Sequence, residues 1–294
     1  MKNAILFLSQ LLRIKQWAKN SFIFFPLVFS GNLFQVSPVK NCLIAFAGFC
    51  FLSSGLYVFN DFLDRDRDRL HPQKSKRPLA RAKISPSTIY LLIGSLIFAG
   101  LFICWVISPA IFFSGLIYIG LHLIYNFCTK KIVILDVVFV AFGFQIRIWA
   151  GSLASGVYPS VWLQMCVFLL ALFLGFNKRR HELSSLGATA SQHRSVLASY
   201  TDYLLDQIII ICSTLSIVFY GLYTISPEML HRIGNNTMVY SVPFVIYGIF
   251  RYLYLIHIKK QGGDPGEILL TDSSSLVNVL LWILFIVFLL YPLK

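Results

Sequence analysis

Residues 43–69 of the chain read LIAFAGFCFLSSGLYVFNDFLDRDRDR, and this stretch decides the fold. Its apolar part is long enough to cross about 30 Å of hydrocarbon as a helix, and it runs directly into a dense group of acids and arginines. The same contrast holds for all 294 residues, of which 57% are hydrophobic and only 13% are charged, with a formal net charge of +13. This composition excludes a soluble globular domain and a disordered tail, and it predicts an integral membrane protein.

Apolar windows of this kind recur along the chain and predict an all-α fold, a polytopic membrane helix bundle of about nine transmembrane helices in a single domain. That domain covers residues 1–294, and the predicted spans lie near 18–36, 40–60, 88–107, 109–127, 132–153, 160–177, 204–225, 238–258 and 275–292. Pro26 interrupts the first span, and the junction at Ser108 and Pro109 leaves almost no room for a loop. The expected count is therefore eight or nine helices.

Positive charge collects on one side of the predicted bundle. With a cytoplasmic N-terminus, that side receives the N-terminal segment, the loops 61–87 and 178–203, and the pairs Lys130–Lys131 and Lys259–Lys260. Cytoplasmic loops carry such an excess of Lys and Arg, so we expect the catalytic loops 61–87 and 178–203 to face the cytoplasm from the inner (plasma) membrane. Topology accounts for the basic residues, and no nucleic-acid partner is expected.

Three further patterns limit the chemistry. The six cysteines lie in apolar runs without a C-x-x-C pair, so they are interpreted as packing residues rather than as disulfide or metal ligands. The six histidines show no H-x-x-x-H pair, which disfavours zinc. Arg13, Lys15 and Lys19 interrupt the N-terminal apolar stretch, so a cleaved signal peptide is not expected.

Four oxygen-bearing side chains follow the second span at helical spacing. Asn60, Asp64 and Asp68 are each four residues apart. Asp61 lies three residues before Asp64, so on a continuing helix all four share one face. Stacked carboxylates repel one another, and Mg²⁺ with substrate phosphates relieves that repulsion, which predicts a metal-bridged diphosphate with these four residues as ligands and the aspartates as catalytic groups. The alternative is a solvated helix in which Asp61 pairs with Arg65.

Residues 71–78, HPQKSKRP, form a basic loop between two prolines that forbid a regular helix. The loop is rich in phosphate-binding groups, and Arg77 is the better ligand candidate. Lys74 and Lys76 alternatively anchor the loop to lipid headgroups.

These residues resemble a known family. Asn60, Asp61, Asp64 and Asp68 match the N-D-x-x-D-x-x-x-D signature of the UbiA superfamily of intramembrane prenyltransferases. Within that superfamily the chain is similar to the polyprenyl-phosphate phosphoribosyltransferase branch over most of its length. The further matching segments are 12–20 (LRIKQWAKN), 68–72 (DRLHP) with Arg77–Pro78, Tyr125 with Lys130 and Leu135–Asp136, Lys178–Arg179 with Glu182–Leu183, and Asp264–Pro265 with Glu267 and Asp272.

The resemblance implies a nine-helix bundle with a cytoplasm-facing site, Mg²⁺, and transfer of 5-phosphoribose from 5-phosphoribosyl 1-diphosphate to a polyprenyl phosphate. It also adds Lys130 to the catalytic residues and leaves a homo-oligomer open. Taken with the residue patterns, it gives a substrate-binding set of Lys15, Lys19, Asn60, Arg77, Tyr125, Asp136, Arg147, Lys178, Arg179 and Glu182.

One departure from the superfamily bears on the reaction. Its aromatic prenyltransferases carry a second Asp-rich motif after the sixth helix, where this chain has 177–182, NKRRHE, with a single acid. Bases in this place fit a donor with an additional phosphate, which Lys178 and Arg179 can hold. Glu182 has three open roles, namely orienting Lys178, accepting ribose hydroxyl hydrogen bonds, or joining the metal shell. Asp202 and Asp206 have the D-x-x-x-D spacing but lie well beyond this place, so they are not expected to form the equivalent site.

The connection between the fourth and fifth spans brings Tyr125, Lys130 and Asp136 to the membrane edge. Tyr125 is either a substrate contact or an interfacial belt residue. An aspartate in an apolar run is costly facing lipid, so Asp136 is expected to face a cavity, a partner or a ligand. Arg147 follows about 16 Å further along the same helix, and both a lipid-phosphate contact and a pair with Asp136 are open for it.

The last cytoplasmic loop, with Asp264, Pro265, Glu267 and Asp272, is predicted to make a turn. It is interpreted either as a lid over the donor site or, for Asp272, as the N-cap of the ninth helix.

Two other functions compete with phosphoribosyl transfer. A prenyltransferase that moves a prenyl group from prenyl diphosphate to an aromatic or other acceptor would use the same metal and diphosphate chemistry. A transporter for an anionic solute would use Arg147 as its midplane charge, but the charges gather at one face and no paired broken helices are evident.

Overall fold

The computed structural model describes residues 2–70, 74–82, 84–186, 195–260, 266, 268 and 271–291. Within these ranges the chain is helical and contains no β-strand. Six residues of the quoted motifs lie outside the described residues, namely His71, Pro72, Gln73, Asp264, Pro265 and Glu267.

The α-helices follow one another with short connections. They are α1 (Lys2–Leu11), α2 (Phe25–Phe29), α3 (Val36–Leu63), α4 (Arg65–Leu70), α5 (Pro78–Arg81), α6 (Pro86–Ile107), α7 (Pro109–Phe127), α8 (Leu135–Ser155), α9 (Val161–Leu186), α10 (Asp202–Thr224), α11 (Pro227–Ile233), α12 (Val242–His257) and α13 (Ser273–Leu290). Tighter 3₁₀ segments at Ile14–Phe24, Lys74–Lys76, Thr129–Lys131, Ser195–Ser199 and Thr237–Ser241 join several of them.

Eight helices in the described ranges are long and apolar enough to cross a membrane. They are α3, α6, α7, α8, α9, α10, α12 extended back to Thr237, and α13. The all-α polytopic bundle is confirmed, and the helix count takes the lower of the two expected values. The tight junction between α6 and α7 is real, because Ser108 ends the first helix and its side chain caps the second.

The first predicted span, near 18–36, is not a continuous α-helix. The 3₁₀ segment Ile14–Phe24 is followed by the short helix α2, and the chain then turns at Gly31, whose φ is +80°. Pro26 lies in the first turn of α2, where its missing N–H costs nothing, but it prevents one helix from running through the whole region. Asn20, fully buried in the 3₁₀ segment, places a polar group where a lipid-facing helix would have none.

The chain divides into two compact units. The first consists of residues 1–27, 32–129 and 146–158, and the second of residues 28–31, 130–145 and 159–294. Helix α8 therefore contributes its first half to the second unit and its second half to the first.

In the first unit, the core forms where α3 packs against α6. Phe49, Leu52 and Leu56 of α3 are buried there. The two backbones approach closely at glycines, since a Cβ added at Gly100 would lie 2.9 Å from the carbonyl oxygen of Gly48.

In the second unit, α9 packs against α10 around an apolar core. Phe173, Leu205 and Ile209 are buried in it, with the Tyr252 ring of α12 tilted against the Phe173 ring. Four of the six cysteines, Cys42, Cys50, Cys104 and Cys212, are buried without disulfides, in keeping with packing residues, whereas Cys128 is exposed at the end of α7.

A close backbone approach in the first unit joins the 3₁₀ segment to α8. A Cβ at Gly151 would lie 1.9 Å from the carbonyl oxygen of Ile23, so no larger residue fits without movement of the backbone. Gly120 in α7 is a matched control, because nothing lies within 4 Å of its added Cβ.

We predict that Gly151→Ala lowers the free energy of unfolding by about 3 kcal/mol or more, because it overpacks a backbone contact. Gly120→Ala should be neutral or stabilising by up to about 1 kcal/mol, through helix propensity alone. Thermal unfolding in detergent measures both variants. Equal stability of the two alanine variants would contradict the close packing of the 3₁₀ segment against α8.

Candidate functional site

The acidic loop keeps its helical spacing across a break in the helix. Helix α3 ends at Leu63, and α4 begins at Arg65. Asp64 bridges the two, with its N–H on the carbonyl of Asn60 at 3.0 Å and its own carbonyl accepting from the N–H of Asp68 at 2.8 Å. The predicted four-residue spacing of these three residues is therefore kept across the one-residue break between α3 and α4.

Two buried aspartates of this loop are held by arginines. Asp61 and Asp68 are each 5% exposed. Arg13 binds Asp61 with both ends of its guanidinium, Nε lying 3.0 Å from Oδ2. Arg77 donates from Nη1 to Asp61 Oδ1 at 3.0 Å and to Asp68 Oδ2 at 2.6 Å. A single guanidinium nitrogen thus bridges two buried carboxylates.

This arrangement differs from the solvated helix considered above. Asp61 pairs with Arg13 and Arg77, which are distant from it in sequence. The Arg65 guanidinium instead lies over the Phe62 ring and beside the exposed Asp66. Local pairing at helix spacing occurs instead between Asp66 and Arg69 on the exposed side. The carboxylates at the end of α3 are therefore drawn inward by cations.

The donor set fits a hard divalent cation. Oxygens of Asp61 and Asp68 both lie within hydrogen-bonding distance of one Arg77 nitrogen, so a cation that took the place of this nitrogen would contact both carboxylates. In the described part of the chain, no three His, Cys, Asp or Glu side chains group together as a complete metal site. Mg²⁺ needs no such cage, because it usually binds through one or two carboxylates together with water and substrate phosphates.

A second polar cluster lies deep in the first unit, around Arg147 of α8. Arg147 is 3% exposed and donates to Asn20 Oδ1 at 2.7 Å and to the Tyr118 hydroxyl at 2.6 Å, with its guanidinium over the Tyr118 ring. The side-chain amide nitrogen of Asn20 in turn donates to Ser53 and Cys50 of α3. The network fixes the direction of a buried positive charge through neutral groups, which makes a phosphate contact chemically reasonable.

In the second unit, Asp136 forms a fully buried ion pair with Arg179. Arg179 Nε donates to Asp136 Oδ2 at 2.7 Å, and Nη1 donates to Glu182 Oε2 at 2.8 Å. The hydroxyl of Tyr200 donates to Asp136 Oδ1 at 2.8 Å. Asp136 is thus engaged by Arg179 and Tyr200, and Glu182 by Arg179.

Asp202 and Asp206, at the start of α10, share one arginine as their partner. Arg180 binds Asp202 at 3.0 Å and Asp206 at 2.9 Å, and it also contacts Ser184. These pairs tie the end of α9 to the start of α10.

Asp272 caps the last helix, as one of its two interpretations predicts. Its carboxylate accepts from the Ser275 N–H at 2.9 Å and from both ends of the Arg251 guanidinium. Those hydrogen bonds, above all the one from Arg251, hold the pKa of Asp272 well below its usual range.

The remaining predicted residues vary in exposure. Lys15 is exposed, whereas six others are half-buried, namely Lys19, Asn60, Asp64, Tyr125, Lys130 and Lys178. The sequence analysis did not include Arg13, Asn20, Tyr118 or Tyr200 among the site residues. Arg13 and Asn20 lie in the 12–20 segment that carried the resemblance, which was the available signal, but nothing local marks Tyr118 or Tyr200.

The comparisons with known proteins agree with this architecture. A UbiA prenyltransferase family model matches residues 23–181. The chain is 31% identical to decaprenyl-phosphate phosphoribosyltransferase of Mycolicibacterium smegmatis over 96% of this chain and 92% of that protein, and 30% identical to the protein of that name from Corynebacterium glutamicum over 95% and 85%. Among solved structures, a UbiA homolog from Archaeoglobus fulgidus bound to DMAPP and Mg²⁺ superposes with a TM-score of 0.71 at 18% identity, covering 97% of this chain and 99% of that one.

These findings define a multi-pass membrane protein that is an enzyme of the transferase class. More particularly, the chain belongs to the UbiA prenyltransferase family.

We predict that the buried pair of Asp136 and Arg179 contributes to the free energy of unfolding. Asp136→Ala removes the carboxylate at Nε of the buried Arg179 and the acceptor of the Tyr200 hydroxyl, while the bond from Nη1 to Glu182 remains, so the free energy of unfolding should fall by about 3 kcal/mol. Asp66→Ala is the control, because the Asp66 side chain is 78% exposed and its removal should change stability by no more than about 0.5 kcal/mol. Chemical unfolding in detergent compares them, and a small effect at Asp136 would show that the pair is not buried.

Proposed function

We propose that the protein catalyses the Mg²⁺-dependent transfer of 5-phosphoribose from 5-phosphoribosyl 1-diphosphate to a polyprenyl phosphate, with release of diphosphate. The observation that carries this proposal is the 31% identity over 96% of the chain to a decaprenyl-phosphate phosphoribosyltransferase. The basic residues that stand in place of a second Asp-rich motif support it. The proposed setting is the inner (plasma) membrane, with the site at the cytoplasmic face.

The end of α3 is the proposed binding place for the donor's diphosphate. Asp61 and Asp68, with Asn60 and Asp64 in register beside them, would hold the metal. A bound Mg²⁺ neutralises the oxygens of the departing diphosphate and so eases its release. Arg77, which lies between the two buried carboxylates, is within reach of the same oxygens and would stabilise the same developing charge.

The pair of Arg179 and Glu182 is the proposed contact for the rest of the donor. The bonds from Arg179 Nε to Asp136 and from Nη1 to Glu182 fix the plane of its guanidinium, and a guanidinium held in this way is suited to a phosphate. Lys178 and Lys130 contribute further positive charge. We propose ribose hydroxyls as the partners of Glu182, since its carboxylate is an acceptor only.

The acceptor requires little from the protein in the way of proton transfer. A phosphate monoester is already ionised near pH 7, so its oxygen attacks the sugar carbon without a general base. Arg147, oriented by Asn20 and Tyr118, is the proposed contact for the lipid phosphate, while the apolar helices hold the polyprenyl tail. The carbon–oxygen bond to diphosphate breaks as the bond to the lipid phosphate forms.

A prenyl transfer reaction is the second candidate. Solved UbiA homologs from Archaeoglobus fulgidus were bound to DMAPP or GPP together with Mg²⁺, and more distant relatives carry the name protoheme IX farnesyltransferase. The metal and diphosphate chemistry is shared by both candidates. The basic segment 177–182 favours the phosphoribosyl donor.

The direct test incubates purified protein with Mg²⁺, labelled 5-phosphoribosyl 1-diphosphate and a panel of polyprenyl phosphates, followed by lipid extraction. We expect label in the lipid that requires both the metal and Asp64, so that Asp64→Asn abolishes it. Asp66→Asn should retain the activity, because Asp66 is exposed beside the site and paired with Arg69. Absence of labelled lipid together with turnover of a prenyl diphosphate and an aromatic acceptor would contradict the proposal and favour prenyl transfer.

Direct attack by the lipid phosphate also predicts the stereochemistry. In-line displacement inverts the anomeric carbon of the ribose, because the nucleophile enters opposite the diphosphate. Proton and phosphorus NMR of the purified lipid product reports this configuration. Retention would require a covalent sugar–enzyme intermediate and would contradict the single displacement.

A further inference from the structure

Ile134 adopts a backbone conformation that its side chain disfavours. Its φ is +70°, and it is one of only three non-glycine residues with positive φ in the described ranges. The N–H of Leu135 bonds to the carbonyl of Val133 at 2.8 Å, which closes a three-residue turn around Ile134. For a β-branched residue this region is a genuine outlier, and such strain persists only where neighbouring groups impose it.

The hydroxyl of Tyr200 makes two hydrogen bonds to this turn, one on each side of Leu135. It accepts from the Ile134 N–H at 2.7 Å and donates to Asp136 Oδ1 at 2.8 Å. Tyr200 is 3% exposed, and burial, with the nearby Asp136 charge, raises the pKa of its phenol. The phenol therefore remains a hydrogen-bond donor at neutral pH.

The effect of Tyr200 reaches Arg179 through one carboxylate. Asp136 gives one oxygen to Tyr200 and the other to Arg179 Nε. A carboxylate fixed at both oxygens has one orientation, and it fixes the plane of the guanidinium that it binds. Glu182 then holds the Nη1 end of the same guanidinium.

We propose that Tyr200 is a positioning residue, which holds the strained turn at Ile134 so that Asp136 aims Arg179 at a phosphate of the sugar donor. This inference rests on the proposed function for the identity of that phosphate. Tyr200 does not touch the substrate in this account and acts only through Asp136 and Arg179.

The first variant is Tyr200→Phe, which keeps the buried ring and removes only the hydroxyl. Calorimetric titration with 5-phosphoribosyl 1-diphosphate should show a dissociation constant raised about tenfold, because one bond to a charged group is lost. The KM for the donor should rise in parallel, with the KM for the lipid phosphate and kcat changed much less. Tyr203→Phe is the matched control, since Tyr203 is 75% exposed, and it should bind like the wild type.

The second variant separates positioning from packing. Glycine adopts positive φ without strain, so Ile134→Gly removes the need to hold the turn. In the Tyr200→Phe background it should recover at least about half of the lost binding free energy, a gain of about threefold in affinity. In the wild-type background, the same change should alter binding less than about twofold.

Two results would overturn the inference. The first is a Tyr200→Phe variant that binds the donor as tightly as the wild type. The second is a double variant that binds the donor as weakly as Tyr200→Phe alone, because the hydroxyl would then have no effect through the turn. Failure of the proposed function gives a different result, since the wild-type protein would then not bind 5-phosphoribosyl 1-diphosphate at all. In that case the melting temperature of each variant replaces the binding measurement. Ile134→Gly should then raise the melting temperature more in the Tyr200→Phe background than in the wild type. Equal shifts of the melting temperature in the two backgrounds would overturn the inference.

Discussion

Charge buried at the ends of apolar helices must be neutralised within the protein, and the polar architecture of this chain follows from that constraint. An ionised carboxylate taken out of water costs several kcal/mol unless cations and hydrogen bonds compensate it. Asp61 at the end of α3 has Arg13 and Arg77, and Asp136 at the start of α8 has Arg179 and Tyr200. Each unit therefore contains its own set of fixed charges at helix ends.

The same pairs prepare the protein for a phosphorylated substrate in our account. A guanidinium that binds a carboxylate has the planar fork that a phosphate also fits, and an acid that binds a guanidinium is equally a ligand for a hard cation. Arg77 is involved in both substitutions, of phosphate for carboxylate and of metal for guanidinium, because it contacts Asp61 and Asp68 through one nitrogen. The proposed donor, with diphosphate and an additional phosphate, brings the anionic charge and the metal that these groups would take up together.

The sequence predicted those features that depend on local patterns. Long apolar runs predicted the eight helices of the described ranges that are long enough to cross a membrane, and the spacing of Asn60, Asp64 and Asp68 appears in their backbone hydrogen bonds. It did not predict the 3₁₀ form of Ile14–Phe24, because hydropathy alone cannot distinguish a lipid-facing helix from a segment that buries Asn20.

The partners of the charges were harder to predict than the charges themselves. Arg13 contacts Asp61 across 48 residues of sequence, and Tyr200 contacts Asp136 across 64, so neither pair leaves a local pattern. For Arg147 the sequence left a pair with Asp136 open, but the observed bonds go to Asn20 and Tyr118, which approach only when α7, α8 and the 3₁₀ segment pack together. Tertiary packing, and not residue type, selects among the available partners.

The central claim is that the carboxylates at the end of α3 hold the metal that accompanies the sugar diphosphate. Crystals or single-particle samples prepared with 5-phosphoribosyl 1-diphosphate and Mn²⁺ in place of Mg²⁺ test it directly, with anomalous scattering from Mn²⁺ as the readout in crystals. We expect Mn²⁺ density beside Asp61 and Asp68, in contact with the diphosphate, and Arg77 moved from the carboxylates to the phosphate oxygens. Diphosphate and Mn²⁺ bound away from residues 60–68, with the Arg77 bridge to Asp61 and Asp68 intact, would contradict it.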